Sequence, residues 1–154
     1  MGTRSTIALE FADGTVQQVY CHWDGYLSNN GQILQEHYSD PFKLRELIDL
    51  GDLSSLRPEV GASHPFSQFD TTMTTEQFDA LYGNMCTFYG RDRKETGTGA
   101  KSFKDYADYI ENHQYEEYEY ILRQVEGKAV WFVKCHSADY VTLAEAFEAE
   151  KETA

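Results

Sequence analysis

The sequence predicts a single α+β domain: an antiparallel sheet of two hairpins plus one or two further strands, with helices packed on one face. Alternating apolar residues flank Asp13-Gly14 early in the chain and Glu126-Gly127 late in it, and such pairs favour tight hairpin turns. Helices are predicted because capping residues precede amphipathic stretches. The 154 residues contain no repeat or linker, so one domain spans residues 1–154, with residues 146–154 expected to fray.

The predicted strands follow from hydrophobic alternation. The two hairpins comprise residues 5–11 with 15–22 and residues 118–125 with 128–135. Within the second hairpin, the continuous apolar run at 129–133 is typical of a central strand buried on both faces. Residues 53–56, LSSL, predict a short edge strand, and the alternation over 85–89 predicts a strand leading into a basic loop.

The predicted helices each follow a residue suited to an N-cap. They begin at Asn29 or Asn30, at Asp40 followed by Pro41, at Thr74 or Thr75, near Ser102, and at Thr142. The helix over 102–113 is expected to present Phe103, Tyr106 and Ile110 on one side.

The overall charge limits the partners. Net charge −13 and a pI near 4.6 disfavour direct binding of nucleic acid or of anionic membranes, and no apolar run reaches the length of a membrane span. Three cysteines without a secretory signal indicate reduced thiols in a cytosol. The dipeptides Cys21-His22 and Cys135-His136 each offer one ligand on a strand, so neither a metal nor another cofactor is predicted.

One basic stretch interrupts this acidic chain. Arg91, Arg93 and Lys101 lie among three glycines within residues 89–104, although the P-loop spacing is absent. Glycines allow close backbone approach, and Arg and Lys make charge-assisted contacts to phosphate or carboxylate. The stretch therefore predicts either an anion-contacting loop or local ion pairs with acids such as Asp92 and Glu95.

A second concentration of functional side chains is CHWDGY, residues 21–26. Trp23 and Tyr26 are suited to stacking on a base or ribose, and Asp24 to accepting from a hydroxyl or amine. His22 is a candidate general acid or base, because its ordinary pKa lies near neutrality. The alternative is a packed Trp beside a turn-forming Asp-Gly pair.

Four motifs carry a resemblance: GTRS at 2–5, HWDGY at 22–26, LGDLSSL at 50–56 and YGRDR at 89–93. Together they resemble a family of uncharacterised accessory proteins of tailed bacteriophages, over most of the chain. The resemblance implies a small product made in the infected bacterial cytoplasm that interferes with host functions or defences. It implies no activity, and the segment 73–85 is longer than expected for the family.

The leading hypothesis is a binding protein that counteracts a host defence by sequestering a small anionic, nucleotide-like ligand. Its predicted site comprises Arg4, His22, Trp23, Asp24, Tyr26, Arg91, Arg93 and Lys101. A homodimer is a reasonable hypothesis, because small ligand-binding domains often close their sites across a two-fold axis.

Two alternatives belong to other classes. The first is an acidic nucleic-acid mimic that binds a basic host protein through Asp105, Asp108, Glu116, Glu117 and Glu119. The second is a small nucleotide-processing enzyme with His22 as acid or base. Binding is favoured over catalysis because the sequence identifies neither a nucleophile nor a metal site.

Overall fold

The first predicted hairpin forms the centre of the sheet. In the computed structural model, which describes residues 3–136 and 139–153, β1 (Ser5–Glu10) and β2 (Val16–Cys21) run antiparallel. The carboxylate of Asp13 accepts hydrogen bonds from the backbone N–H and the hydroxyl of Thr15, at 2.9 and 2.7 Å. These bonds shape the turn locally, which is why the sequence reveals it.

The second predicted hairpin, β6 (Tyr118–Val125) and β7 (Lys128–Cys135), joins the first through a parallel pairing of β6 with β1. The prediction that 129–133 is buried on both faces is wrong, because Trp131 and Val133 are buried while the residues between and before them are only half-buried. The strands with two buried faces are β1, which lies between β2 and β6, and the first half of β6.

Three short strands extend the sheet beyond β2. β3 (Leu53–Ser55) pairs parallel with β2, β4 (Thr87–Phe88) pairs antiparallel with β3, and β5 (Lys101–Phe103) pairs with β2 beside β3. The order is β4-β3-β2-β1-β6-β7-β8, where β8 is Val141–Thr142. The predicted strand at 53–56 therefore has a neighbour on each side and is not an edge strand.

Three helices pack on one face of the sheet, as predicted: α1 (Gln32–His37), α2 (Pro41–Asp49) and α6 (Leu143–Thr153). Asp40 caps α2 by accepting from the N–H of Phe42 at 3.0 Å. A π-helical turn, Leu27–Gly31, precedes α1. The segment expected to fray is helical as far as Thr153, and its first residue, Ala146, is buried.

A fourth helix, α5 (Tyr106–Asn112), covers the opposite face, over Ala8, Val16 and Ile121. The sequence predicted this helix to start near Ser102. It starts later because Asp105 is its cap, accepting from the N–H of Asp108 at 2.8 Å. The buried residue of the helix is consequently Tyr109, and the predicted stripe residue Ile110 is exposed.

A 3-10 turn, Gln68–Asp70, precedes α3 (Thr75–Tyr82), and a further short helix is α4 (Tyr89–Arg93). Thr74 and Gln77 form a reciprocal capping box at the start of α3, as the predicted cap implies. The predicted basic loop begins with α4, a short helix that follows β4 directly. Across the described residues, no helix is both long enough and apolar enough to span a bilayer.

Candidate functional site

A groove of about 410 Å³ lies where β3, β4 and α3 meet the chain that leaves β2. Five aromatic rings line it: Trp23, Phe66, Phe69, Phe78 and Tyr82. Its charged lining residues are Arg57, Asp24 and Asp79. We call it the Trp23 groove, because Trp23 is 42% exposed in it although Trp is usually well buried.

Backbone bonds fix the position of Trp23 and Asp24. The N–H of Trp23 donates to Ser54 O at 3.0 Å, which continues the pairing of β2 with β3. Asp24 has φ +57°, in the left-handed region that Asp tolerates, and its carbonyl accepts from Asn29 Nδ2 at 3.1 Å. Next to it, a side chain at Gly25 would meet Ser5 Cβ at 2.6 Å. The turn is therefore held in one conformation.

Helix α3 forms one wall of the groove through Phe78, Asp79 and Tyr82. None of its residues is buried. Its Tyr82 ring stacks on His64, with ring centroids 5.1 Å apart, and Phe78 packs edge-on against Tyr82. The segment 73–85, whose role the sequence leaves open, thus contributes a wall that rests on the rest of the domain through His64.

His64 belongs to a buried polar network. Its backbone N–H donates to Asp92 Oδ1 at 3.1 Å, and its ring nitrogens lie 2.8 Å from Pro65 O and 3.0 Å from Cys86 O. Asp92 also accepts from the backbone N–H of Phe88 at 2.8 Å. The network therefore ties the loop before α3 to β4 and α4.

Arg91 also belongs to this network, and its hydrogen-bond donors are used within it. The guanidinium donates to both carboxylate oxygens of Asp92, at 3.0 and 3.2 Å. Its three other N–H groups donate to Val60 O, Gly61 O and Cys86 O, at 3.1, 2.8 and 2.9 Å. All five donors are thus used. The contacts of Arg91 in the structure are those of the local ion-pair alternative, and that Arg91 contacts a ligand stays a prediction.

Arg93 lies outside the groove, stacked on Phe66 and Tyr89 at 4.4 and 5.1 Å from the ring centroids. Its Nε donates to Glu95 at 2.6 Å. This contact is one of the local ion pairs that the basic stretch predicts as the alternative to an anion-contacting loop. Lys101 lies on β5, where it donates to Gln114 Oε1 at 3.1 Å. Neither side chain lines the groove.

The remaining predicted ligand-binding residues also lie outside the groove. The Nδ1 of His22 lies 2.7 Å from the Tyr20 hydroxyl, and its ring packs edge-on against Trp23. Arg4 is exposed just before β1, and Tyr26 is exposed after the turn at Asp24. Of the eight predicted residues, Trp23 and Asp24 therefore line the groove, and His22 packs against Trp23 from outside it.

Arg57 is the cation that sequence reasoning missed. It follows β3 within LSSLRP, and its Nη1 donates to Leu56 O at 2.9 Å. Within residues 3–136 and 139–153, this is the only hydrogen bond of its guanidinium. In the same part of the chain, the carboxylates of Asp24 and Asp79 make neither a side-chain hydrogen bond nor an ion pair. The one indication of Arg57 in the sequence is that it directly follows the LGDLSSL motif.

The acidic residues of the alternative hypothesis do not form one exposed patch. Glu119 is buried, where it contacts His113 Nε2 and accepts from the Tyr140 hydroxyl at 2.8 Å. Burial raises the pKa of Tyr140, which keeps this phenol protonated as a donor. Asp105 and Asp108 serve the start of α5, through bonds to the N–H groups of Asp108 and Lys104.

The two buried thiols, Cys21 and Cys86, offer little reactivity. Burial raises the pKa of Cys21 to about 12 and also raises the pKa of Cys86. Cys135 is half-buried, and all three are unpaired. Among the described residues, no group of three or more His, Cys, Asp or Glu side chains gathers as a metal site.

Comparison of the chain with protein-family models, with curated proteins and with solved structures gave no match. The resemblance of the four motifs to tailed-phage accessory proteins stays a prediction.

Proposed function

We propose that the protein is a binding protein for a small planar anion of nucleotide type, held in the Trp23 groove. The observation that carries the proposal is that one groove is lined both by Trp23, which is exposed, and by Arg57, whose guanidinium makes a single hydrogen bond within the described residues. Stacking of a base on an aromatic side chain contributes roughly 1–3 kcal/mol. A guanidinium adds a planar, bidentate contact to phosphate.

Sequestration is favoured over turnover by the position of the candidate acid or base. His22 does not line the groove, and its Nδ1 is engaged with the Tyr20 hydroxyl. The groove thus offers stacking and charge recognition from Trp23 and Arg57, which are the requirements of a binding site.

The biological setting belongs to the same proposal. Three unpaired thiols suit a reducing cytoplasm, and the motifs resemble phage proteins made in an infected bacterium. In that setting, a protein that retains a nucleotide-like signal would counteract a defence that depends on the signal.

The test is calorimetric titration of the protein with a panel of nucleotides, together with native mass spectrometry of protein purified from infected cells. Trp23→Ala and Arg57→Ala should each lower affinity at least tenfold, whereas Arg93→Ala, which removes an exposed cation outside the groove, should not. A panel without any binder, or equal binding by all three variants, would overturn the proposal. Retention of a basic host protein that dissociates with salt would instead favour the acidic-surface alternative.

A further inference from the structure

The charge of the Trp23 groove suggests which nucleotides it selects. Among the lining residues that the structure describes, Arg57 is the one cation, against the two carboxylates of Asp24 and Asp79. Resting on the proposed function, we infer that the groove selects a nucleotide with a single phosphate and an amino group on its base, and that it disfavours di- and triphosphates.

Arg57 is the residue that favours a single phosphate. One guanidinium presents a planar fork that matches one phosphate group. Its backbone is fixed at the end of β3, where its N–H donates to Cys86 Sγ at 3.2 Å, and its Nη1 is held on Leu56 O. A second or third phosphate finds no further cation among the lining residues that the structure describes.

Further phosphates would instead meet negative charge. Like charges a few ångströms apart repel strongly near a protein surface, and the two carboxylates make no ion pair within the described residues that would neutralise them. The bonds from Asn29 and Asn30 to the carbonyl of Asp24 hold its backbone in the turn at the groove. The net charge of −13 acts in the same direction over a longer range.

The carboxylates of Asp24 and Asp79 also favour a ligand that donates hydrogen bonds. A carboxylate accepts hydrogen bonds and donates none, so its complement is an N–H group. The exocyclic amine of an adenine or cytosine supplies two such donors, whereas hypoxanthine presents a carbonyl oxygen at the equivalent position. The carboxylates thus favour a base that carries an amine, stacked on Trp23.

The experiment is calorimetric titration of the full chain with AMP, ADP, ATP, IMP and adenosine at fixed, low ionic strength. AMP should bind at least tenfold more tightly than ATP, and more tightly than IMP and adenosine. Tighter binding of ATP than of AMP would overturn the single-phosphate inference while leaving the proposed function intact, and equal binding of IMP and AMP would overturn the amine requirement. Failure of all five ligands would count against the proposed function itself.

Two variants test whether the carboxylates of the groove cause the preference for a single phosphate. Asp24→Asn keeps a residue type that tolerates the left-handed backbone, and Asp79→Asn changes an exposed residue of α3. Each should raise the affinity for ATP relative to AMP at least threefold. Glu76→Gln is the matched control, since it removes one charge from the same helix outside the groove lining. If the control shifts the ratio as much as Asp79→Asn does, total charge and not the groove sets the preference, and the inference is wrong.

Discussion

Replacing Arg91 with alanine separates a structural role from a ligand-binding role. The side chain is 13% exposed and its partner Asp92 is 0% exposed. Removing the guanidinium leaves a buried carboxylate without its cation, and breaking such a pair costs about 3–5 kcal/mol. The backbone N–H groups of Phe88 and His64 still donate to Asp92, so we expect the lower end, about 3 kcal/mol.

Arg93→Ala is the matched control. Its side chain is 52% exposed, and its partner Glu95 is also exposed. An exposed ion pair contributes about 0.2–1 kcal/mol, and a cation–π contact at such a site about 0.5–1 kcal/mol. The two arginines lie two residues apart, so the comparison holds composition, net charge and position nearly constant.

The assay is equilibrium unfolding in urea, with thermal unfolding as a second measurement. For a chain of this size each kcal/mol shifts the melting temperature by about 2–4 °C, so Arg91→Ala should melt about 6–12 °C lower. The urea midpoint should fall without a change in slope. Equal stability of the two variants would refute the assignment of Arg91 to the buried network.

Three further predictions concern stability and thiol access. In urea unfolding, Gly51→Ala should destabilise the protein more than Gly14→Ala. Both glycines have positive φ, but a Cβ at Gly51 would lie 2.3 Å from a carbonyl oxygen, whereas a Cβ at Gly14 would meet nothing within 4 Å. Glu119→Ala should cost about 1–3 kcal/mol in the same measurement, because it leaves the buried polar groups of His113 and Tyr140 without their partner, whereas Glu117→Ala on the surface should stay within about 0.5 kcal/mol. With a thiol reagent at pH 8, the half-buried thiol of Cys135 should react in the folded protein, and all three thiols should react in urea. Rapid reaction of a second thiol in the folded state would contradict the burial of Cys21 and Cys86.

The parts of the fold that the sequence predicts are those determined by neighbouring residues. Asp13 shapes a turn two residues on, and Asp40 and Thr74 each accept from an N–H within the next turn of helix. Such bonds need only the local chain, so a short sequence pattern suffices to identify them. The pairing of β1 with β6 joins residues 113 apart at Ser5 and Tyr118, and no local pattern specifies it.

The candidate site shows the same division. The composition of CHWDGY identified Trp23 and Asp24, because an indole and a carboxylate after a strand are typical of binding surfaces. Phe66 and Tyr82 come to the groove only because His64 and Arg91 tie their segments to β4. A sequence shows that an arginine is present, but the carbonyl groups that will use its donors come from distant loops.

The sequence by itself determined the α+β class, the two hairpins and the helices capped by Asp40 and Thr74, because each depends on alternation or on a cap within a few residues. It also determined the acidic character of the chain, with a net charge of −13. Only the tertiary structure decided that Arg91 is bonded inside the protein while Arg57 faces the groove. The physical reason is that the availability of a charged side chain depends on which distant backbone groups fold against it.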